Sequence, residues 1–70
     1  MERQSVSSSN LRSVGYDENN QVLEIEFQTG SIYEYFGVPQ VVYTGLMNAP
    51  SKGTYHNENI RTSYRFRKIK

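Results

Sequence analysis

The chain has 70 residues, no cysteine, one histidine and a formal net charge of +1. This length supports one small hydrophobic core. The absence of cysteine excludes disulfide bonds and, with a single imidazole, argues against a zinc site. We therefore expect neither a metal nor a cofactor. No segment reaches the roughly 20 apolar residues that span a bilayer, and residues 1–5 lack the apolar run of a signal peptide, so we expect a cytoplasmic monomer without membrane contact.

The chain opens with a polar, serine-rich segment that has no periodic apolar pattern. Such segments are commonly extended or frayed, so we expect a flexible lead-in over residues 1–10 and a single domain over residues 11–70. Residues 11–16 then have the pattern of a strand, and residues 17–20, which are rich in Asp and Asn, are typical of a turn. We expect a hairpin with the next segment.

The most regular pattern in the chain is the alternation in residues 22–27. Leu23, Ile25 and Phe27 fall on one face of an extended segment and two glutamates fall on the other, which is typical of a strand with one buried face. Residues 32–36 form the next candidate strand. Together with the first strand, these segments predict a three-stranded antiparallel meander.

The spacing of apolar residues changes from strand-like to helix-like after Gly37. Pro39 suits the first turn of a helix, where no backbone N–H donor is needed, and the apolar residues that follow recur at three- and four-residue intervals. Pro50 ends the helix, and a tight loop follows over residues 51–53. Residues 55–59 are ambiguous and are compatible with a short helical turn, and residues 64–69 alternate as a last strand. The predicted fold class is α+β: a small antiparallel sheet with a three-stranded meander, one amphipathic helix and a C-terminal strand.

The loop between the second and third strands decides which way Tyr33 and Tyr35 point. A two-residue loop places both rings on the polar face of the sheet, but it demands a positive φ from the β-branched Thr29. A three-residue loop over residues 28–30, closed by Gly30 in the left-handed region, turns both rings toward the core. We favour the second register, with exposed rings that stack on nucleobases as the alternative.

Several short motifs occur in a fixed order along most of the chain. They are Ser8-Ser9, Gly15-Tyr16-Asp17, Tyr33-Glu34-Tyr35, Gly37-Val38-Pro39, Tyr43, residues 49–55, Asn57 and Ile60-Arg61. At these spacings the chain resembles the KTSC family, a small domain also found at the C-terminus of some lysyl-tRNA synthetases, and Tyr33-Glu34-Tyr35 is similar to the family's central Tyr-x-Tyr motif. The resemblance implies RNA binding, which is the role proposed for that family.

Charge is distributed unevenly along the chain. Before Lys52, two basic residues stand against six acidic ones, a net charge of −4; from Lys52 onward, six basic residues stand against one acidic residue, a net charge of +5. A basic segment of this kind can contact the phosphates of RNA, which makes a non-catalytic RNA-binding module our leading hypothesis. The expected interface consists of Lys52, Tyr55, Arg61, Arg65, Arg67 and Lys68.

Two other interpretations of the charged and apolar residues stay open. The basic segment can instead be a solvated strand whose arginines compensate the sheet glutamates, including the like-charged pair Glu24 and Glu34 of the favoured register. The domain can also be a protein-interaction module, such as an accessory factor of a bacterial host or phage. That module would use an exposed sheet edge or the apolar pair Ile32 and Phe36.

No residue pattern in the chain supports catalysis. His56 and Glu58 lack a third residue that would orient them, as does Ser51, and we expect His56 to be an exposed loop residue. The segment 51–53 lacks the glycine spacing of a phosphate loop and is interpreted as a helix-ending turn. We therefore expect no enzyme activity and no catalytic or metal-binding residue.

Overall fold

Seven elements follow one another along the chain in a computed structural model that describes residues 1–70. Five strands form one antiparallel sheet in chain order, and two helices pack on one of its faces. The elements are β1 (Gln4–Ser5), β2 (Leu11–Asp17), β3 (Val22–Phe27), β4 (Ile32–Phe36), α1 (Gln40–Asn48), α2 (Lys52–Asn59) and β5 (Phe66–Lys68). The predicted α+β class and antiparallel sheet are confirmed, with one more strand, β1, and one more helix, α2.

The hairpin between β3 and β4 sets the direction of Tyr33 and Tyr35. Gly30 in its loop has a φ of 94°, and the N–H of Gly30 donates to the carbonyl of Phe27 at 2.9 Å. This is the predicted three-residue loop, closed by a glycine in the left-handed region. The two tyrosines therefore face the helices, and the core-facing register is confirmed. The opposed pairs are Ile25–Tyr33, Leu23–Tyr35 and, on the other face, Glu24–Glu34.

The helix-covered face of the sheet encloses one apolar core. Its buried members are Leu11, Val14, Leu23, Ile25, Tyr35, Val38, Leu46 and Ile60. At one end of this core the ring of Tyr16 stacks on Tyr43 of α1, with ring centroids 4.8 Å apart, and the Tyr16 hydroxyl donates to the carbonyl of Val38 at 2.5 Å. The aromatic core thus has a hydrogen-bond partner for the polar tip of this tyrosine, as burial requires.

Residues 1–10, predicted as a flexible lead-in, contain the two-residue strand β1, which pairs with β2. Just before β1, Arg3 forms an ion pair with Glu24, a carboxylate that is only 7% exposed. Arg3 crosses β2 over Gly15, where a Cβ would lie 2.6 Å from a backbone carbonyl of the N-terminal segment. The polar composition of this segment predicted no strand because its stabilising partner is 21 residues away in the chain.

Arginines from both sheet edges balance the two glutamates that oppose each other on the uncovered face. Arg3 pairs with Glu24 from the β1 side, and Arg67 of β5 donates to Glu34 at 2.8 Å. Arg65, by contrast, is exposed and forms no ion pair. One arginine of the basic C-terminal segment therefore compensates a sheet glutamate, as the solvated-strand interpretation expected.

α2 begins where the sequence predicted a tight loop. The hydroxyl of Ser51 accepts a hydrogen bond from the N–H of Thr54 at 3.3 Å and caps the helix. His56 and the following Ile60 are buried, so one side of the helix faces the sheet. The prediction that His56 is an exposed loop residue is therefore wrong: the low apolar content of this segment conceals a helix held by its cap and by these two buried side chains.

The contact between Gly45 of α1 and Tyr55 of α2 yields a stability prediction with a counterintuitive sign. Glycine to alanine inside a helix normally stabilises by about 1 kcal/mol, but a Cβ at Gly45 would lie 2.8 Å from Tyr55 Cζ. Tyr55 packs against the core, so moving its ring costs about 1–3 kcal/mol. We expect Gly45→Ala to lower the free energy of unfolding in urea by roughly 1 kcal/mol.

The same substitution in a Tyr55→Leu background serves as the control. Without the ring, the added methyl meets no obstacle and only the helix propensity remains, so Gly45→Ala is expected to stabilise that variant by up to about 1 kcal/mol. Equal effects of Gly45→Ala in both backgrounds would show that Tyr55 does not restrict this position.

Candidate functional site

α1 and α2 leave part of the sheet's covered face open beside β5. A groove of about 340 Å³ lies there, lined by aromatic rings and one cation. We call it the aromatic groove, and its residues are Phe27, Tyr33, Tyr35, His56, Arg61 and Phe66. Its rings come from the ends of β3 and β4, from α2 and from β5, so the sheet register places them side by side.

A second cleft of about 430 Å³ adjoins the aromatic groove and shares Phe27, Tyr33 and His56 with it. It lies between the β3–β4 loop, the start of α2 and the chain just before β2. We call it the neutral cleft, because its other residues are small, apolar or uncharged: Ser9, Asn10, Leu11, Gln28, Thr29, Ser31, Gly53 and Asn57.

The rings of the aromatic groove contact one another, and they differ in how far they are exposed to solvent. The rings of Tyr33 and Tyr35 have centroids 6.3 Å apart and planes 21° apart. Phe66 opposes Tyr35 in the β4–β5 register, with its centroid 6.0 Å from that ring and 5.7 Å from Tyr33. Tyr35 is only 3% exposed, whereas Phe66 on the edge strand is 56% exposed. Phe66 is therefore the ring of the groove that is most open to solvent.

A buried hydrogen bond joins the sheet to α2 at the floor of the groove. Tyr35 Oη lies 2.8 Å from His56 Nε2. The tyrosine hydroxyl has no other acceptor, so it donates to Nε2; the opposite polarity would leave the phenol proton unpaired at a cost of about 1–3 kcal/mol. Burial, with a smaller contribution from Tyr33, raises the pKa of Tyr35 to about 12. Burial, assisted by the charge of Arg61, lowers the pKa of His56. Both groups are therefore neutral at neutral pH.

The second ring nitrogen of His56, Nδ1, has no hydrogen-bond partner in the protein. With Nε2 accepting from Tyr35, the ring proton of the neutral imidazole sits on Nδ1. Every buried side-chain nitrogen or oxygen has a hydrogen-bond partner, and Nδ1 has none in the protein, so Nδ1 must be accessible to solvent. His56 therefore carries one N–H donor without a partner in the protein, on a ring that lines both clefts.

The six residues predicted to contact nucleic acid lie in four places. Arg61 lines the aromatic groove, and Lys68 lies opposite Tyr33 in the β4–β5 register, on the same sheet face. Arg67 is on the other face in its ion pair, and Arg65 is exposed immediately before β5. Two of the predicted basic residues are therefore close to the groove rings.

The other two predicted residues, Lys52 and Tyr55, belong to α2 and lie outside both clefts. Lys52 Nζ donates to the carbonyl of Ala49 at 3.2 Å. Tyr55 packs against the core and against Gly45 of α1. Their contacts are therefore with the end of α1 and with the helix pair, and they are not part of the surface formed by Arg61 and Lys68.

Comparison with known proteins gives these elements a family. The KTSC domain model matches residues 7–64. The chain belongs to the KTSC domain family. A KTSC domain protein from Yersinia pestis has a crystal structure that matches this one with a TM-score of 0.95 and 42% sequence identity, over 99% of this chain and 97% of that chain.

Curated relatives carry the KTSC domain in two settings. Over 70 residues the chain is 41% identical to an uncharacterized protein of Stutzerimonas stutzeri, and the match covers 99% of both chains. Over 59 residues it is 43% identical to a lysine–tRNA ligase of Nostoc punctiforme, covering 84% of this chain but only 10% of the ligase. The predicted family is confirmed: similar sequences form nearly all of one small protein and a small part of a lysine–tRNA ligase.

Most of the aromatic groove lies within residues 7–64, the span that the KTSC domain model matches. Phe27, Tyr33, His56 and Arg61 fall within residues 7–64. β5, with Phe66 and Lys68, lies beyond the matched span, as does β1 at the other edge of the sheet. The floor of the groove is therefore part of the family-wide region, and its open rim comes from the C-terminal strand.

Three groove residues were not among the predicted site residues: Phe27, His56 and Phe66. Phe27 was predicted only as a core-facing residue of its strand, and the other two were missed for different reasons. The alternation in residues 64–69 correctly turns Phe66 toward the covered face, but alternation does not reveal that the helices stop short of β5 and leave the ring open. His56 was interpreted as a loop residue because its partner Tyr35 is distant in sequence. An isolated aromatic residue between Arg65 and Arg67 is the one sequence signal that pointed to Phe66.

Two further structural properties of this KTSC domain concern metals and membranes. No three histidine, cysteine, aspartate or glutamate side chains come together as a metal-binding group. Neither helix has the length and apolar content needed to cross a membrane.

Proposed function

We propose that this KTSC domain is a non-catalytic module that binds RNA at its aromatic groove. The observation that supports this most directly is the exposed ring of Phe66, with Arg61 in the same groove and Lys68 on the same sheet face. An open ring face stacks on a base, and nearby cations contact the phosphates on either side of it. Single-stranded RNA offers both features in one ligand.

The relatives support the same class of ligand. A lysine–tRNA ligase acts on tRNA by its name, and a segment of one such ligase is similar to this chain. The segment is about a tenth of that protein, so the activity of the whole ligase does not transfer. What we propose for this chain from that relative is only the role of an accessory domain that contacts RNA.

A protein partner stays the alternative, and the structure supports it less. Ile32 and Phe36, the predicted apolar contact pair, are half-buried on the uncovered face and separated by the ion-paired Glu34. The β5 edge carries Arg67 and Lys68, and charged side chains on an edge strand discourage pairing with a further strand. Chemical-shift perturbation on Ile32 and Phe36, with Phe66 unaffected, would favour a protein partner.

A titration with single-stranded RNA of mixed sequence at two salt concentrations tests the proposal. With two phosphate contacts, at Arg61 and Lys68, affinity is expected to fall roughly 7-fold between about 50 and 200 mM salt. Lys68→Gln removes one contact and should reduce the slope of log affinity against log salt by about 0.7.

Arg67→Gln is the matched control for that titration. It removes the same charge from the adjacent residue of β5, but on the opposite face of the sheet. This variant should bind RNA with the salt slope of the unmodified protein. Absence of binding at low salt, or equal effects of the two substitutions, would contradict the proposed site.

A further inference from the structure

The neutral cleft differs from the aromatic groove in its chemistry. Its floor is formed by Phe27, Tyr33 and His56, and its rim carries the amides of Asn10 and Asn57 together with backbone and hydroxyl groups. No acidic residue, lysine or arginine lines it, and His56 is neutral because burial lowers its pKa. Its volume of about 430 Å³ lies in the range of small-ligand sites, about 300–1,000 Å³.

The walls of the neutral cleft are held in place by hydrogen bonds of their own. The Gln28 side-chain amide donates to the carbonyl of Ser8 at 3.2 Å and to that of Leu11 at 3.1 Å. The Ser8 hydroxyl in turn accepts from the N–H of Asn10 at 3.1 Å. The Asn10 side chain lies against Gly53, where a Cβ would be 3.0 Å from Asn10 Cγ. The chain before β2, the β3–β4 loop and α2 therefore form a cleft that exists before any ligand arrives.

We infer that the neutral cleft takes one unpaired nucleobase of the RNA. This inference rests on the proposed function and specifies its ligand. A planar, uncharged ring with hydrogen-bonding edges matches an aromatic floor, an uncharged rim and the amides of Asn10 and Asn57, each of which donates and accepts. No cation lines the cleft itself, and the nearby guanidinium of Arg61 is hydrogen-bonded to Asn57 Oδ1. The Nδ1–H of His56 supplies a donor at the floor, and Tyr35 is a positioning residue because its hydroxyl fixes that tautomer.

The position of Arg61 extends the inference to the rest of the nucleotide. Arg61 lines the aromatic groove, which meets the neutral cleft at Phe27, Tyr33 and His56. A base in the neutral cleft therefore places its phosphate toward Arg61 and the following base toward Phe66. A paired base cannot enter, since its hydrogen-bonding edge is already engaged in the duplex. The site selects single strands over duplexes.

Two asparagines on α2 provide a matched test of the base site. Asn57 lines the neutral cleft, whereas Asn59, also exposed on the same helix, donates to the carbonyl of Tyr55 and lines neither cleft. Asn57→Ala is expected to weaken binding of a short mixed-sequence single-stranded RNA about 5-fold, as loss of one hydrogen bond does. Asn59→Ala should leave the affinity unchanged.

A second substitution, Asn10→Ala, distinguishes loss of an amide contact to the base from an indirect effect on Arg61. Asn57 Oδ1 accepts a hydrogen bond from Arg61, so Asn57→Ala also frees that cation. Asn10→Ala, on the opposite wall of the cleft, has no such contact and should also weaken the single strand about 5-fold. Thermal unfolding of each variant checks that the fold is retained.

The choice of RNA probes makes the possible outcomes distinct. The single strand is expected to bind at least about 10-fold more tightly than a hairpin duplex of the same bases, and to shift the His56 imidazole ¹⁵N resonances. Equal binding of both forms, with Asn57→Ala equal to Asn59→Ala, overturns the base site but leaves RNA binding intact. No RNA binding at low salt overturns the proposed function itself.

A nucleobase could also reach the neutral cleft as part of a free mononucleotide. Adenosine monophosphate and the other three mononucleotides, titrated alone, should bind far more weakly than the single-stranded RNA because they lack the contacts at Phe66 and Lys68. A mononucleotide that binds as tightly as the RNA would assign the cleft to a free nucleotide and overturn its role in RNA binding.

Discussion

Tyr35→Phe is expected to lower the free energy of unfolding by about 1–3 kcal/mol, since it leaves a buried acceptor without a partner. The acceptor is His56 Nε2, which receives the Tyr35 hydroxyl at 2.8 Å at the floor of the groove. His56→Leu should have a similar cost for the reciprocal reason, because the buried phenol then loses its acceptor. Urea denaturation of both variants measures the effect.

The double variant Tyr35→Phe/His56→Leu is the control for this pair. With both polar groups removed, neither is left unpaired, so the double variant should be more stable than the sum of the single effects predicts, by about 1 kcal/mol or more. Additive effects would mean that the two side chains stabilise the fold independently, and the hydrogen bond would then contribute little.

The acid dependence of stability provides a second readout of the same pair. The pKa of His56 is lower in the folded protein than its ordinary value of 6.5, so below about pH 6.5 the unfolded chain binds a proton that the folded protein does not. Stability is therefore present above pH 6.5 and is lost as the pH falls toward the folded-state pKa. His56→Leu should lose this part of the pH dependence while the carboxylates still titrate at lower pH.

Phe66→Ala is expected to weaken RNA binding by about 5- to 150-fold, the range for loss of one stacked base. The ring is 56% exposed at the rim of the aromatic groove, so its removal should change the stability of the fold far less than it changes affinity. Phe66→Leu, which keeps apolar area but lacks a ring face, should bind nearly as poorly as Phe66→Ala. Fluorescence anisotropy of a labelled single-stranded RNA measures all three proteins.

Val41→Ala is the control for loss of exposed apolar area outside the groove. It is 74% exposed on α1 and lines neither cleft, so Val41→Ala should leave RNA affinity unchanged. If Phe66→Leu bound RNA as well as the unmodified protein, stacking would not be the source of affinity, and Phe66 would act only as an apolar contact.

The sheet register was predictable from the sequence because a single turn controls it. Thr29 resists positive φ and Gly30 tolerates it, so residues 28–30 admit only one of the two loops, and a one-residue change would have turned Tyr33 and Tyr35 to the other face. The alternation in β3 supports the same result independently. Local chemistry was sufficient here.

The site was less predictable because its decisive contacts join distant parts of the chain. His56 becomes buried only when α2 meets the sheet, and its partner Tyr35 is 21 residues away. α2 itself has little apolar character, so the sequence indicated only an ambiguous short helical turn over residues 55–59. The open position of Phe66 depends on where the helices end relative to the sheet edge, a property of the packed fold that no local pattern encodes.

The order of the strands also determines how this domain can be attached to a larger protein. β1 and β5 lie at opposite edges of the sheet, four strand spacings or roughly 19 Å apart at about 4.8 Å each. A linker that enters through Met1 approaches near β2, where the Met1 side chain lies over Gly15, so a neighbouring domain on that side leaves the groove unobstructed. A linker that leaves from Lys70 departs directly beside the groove, where a bulky neighbour would screen it from RNA.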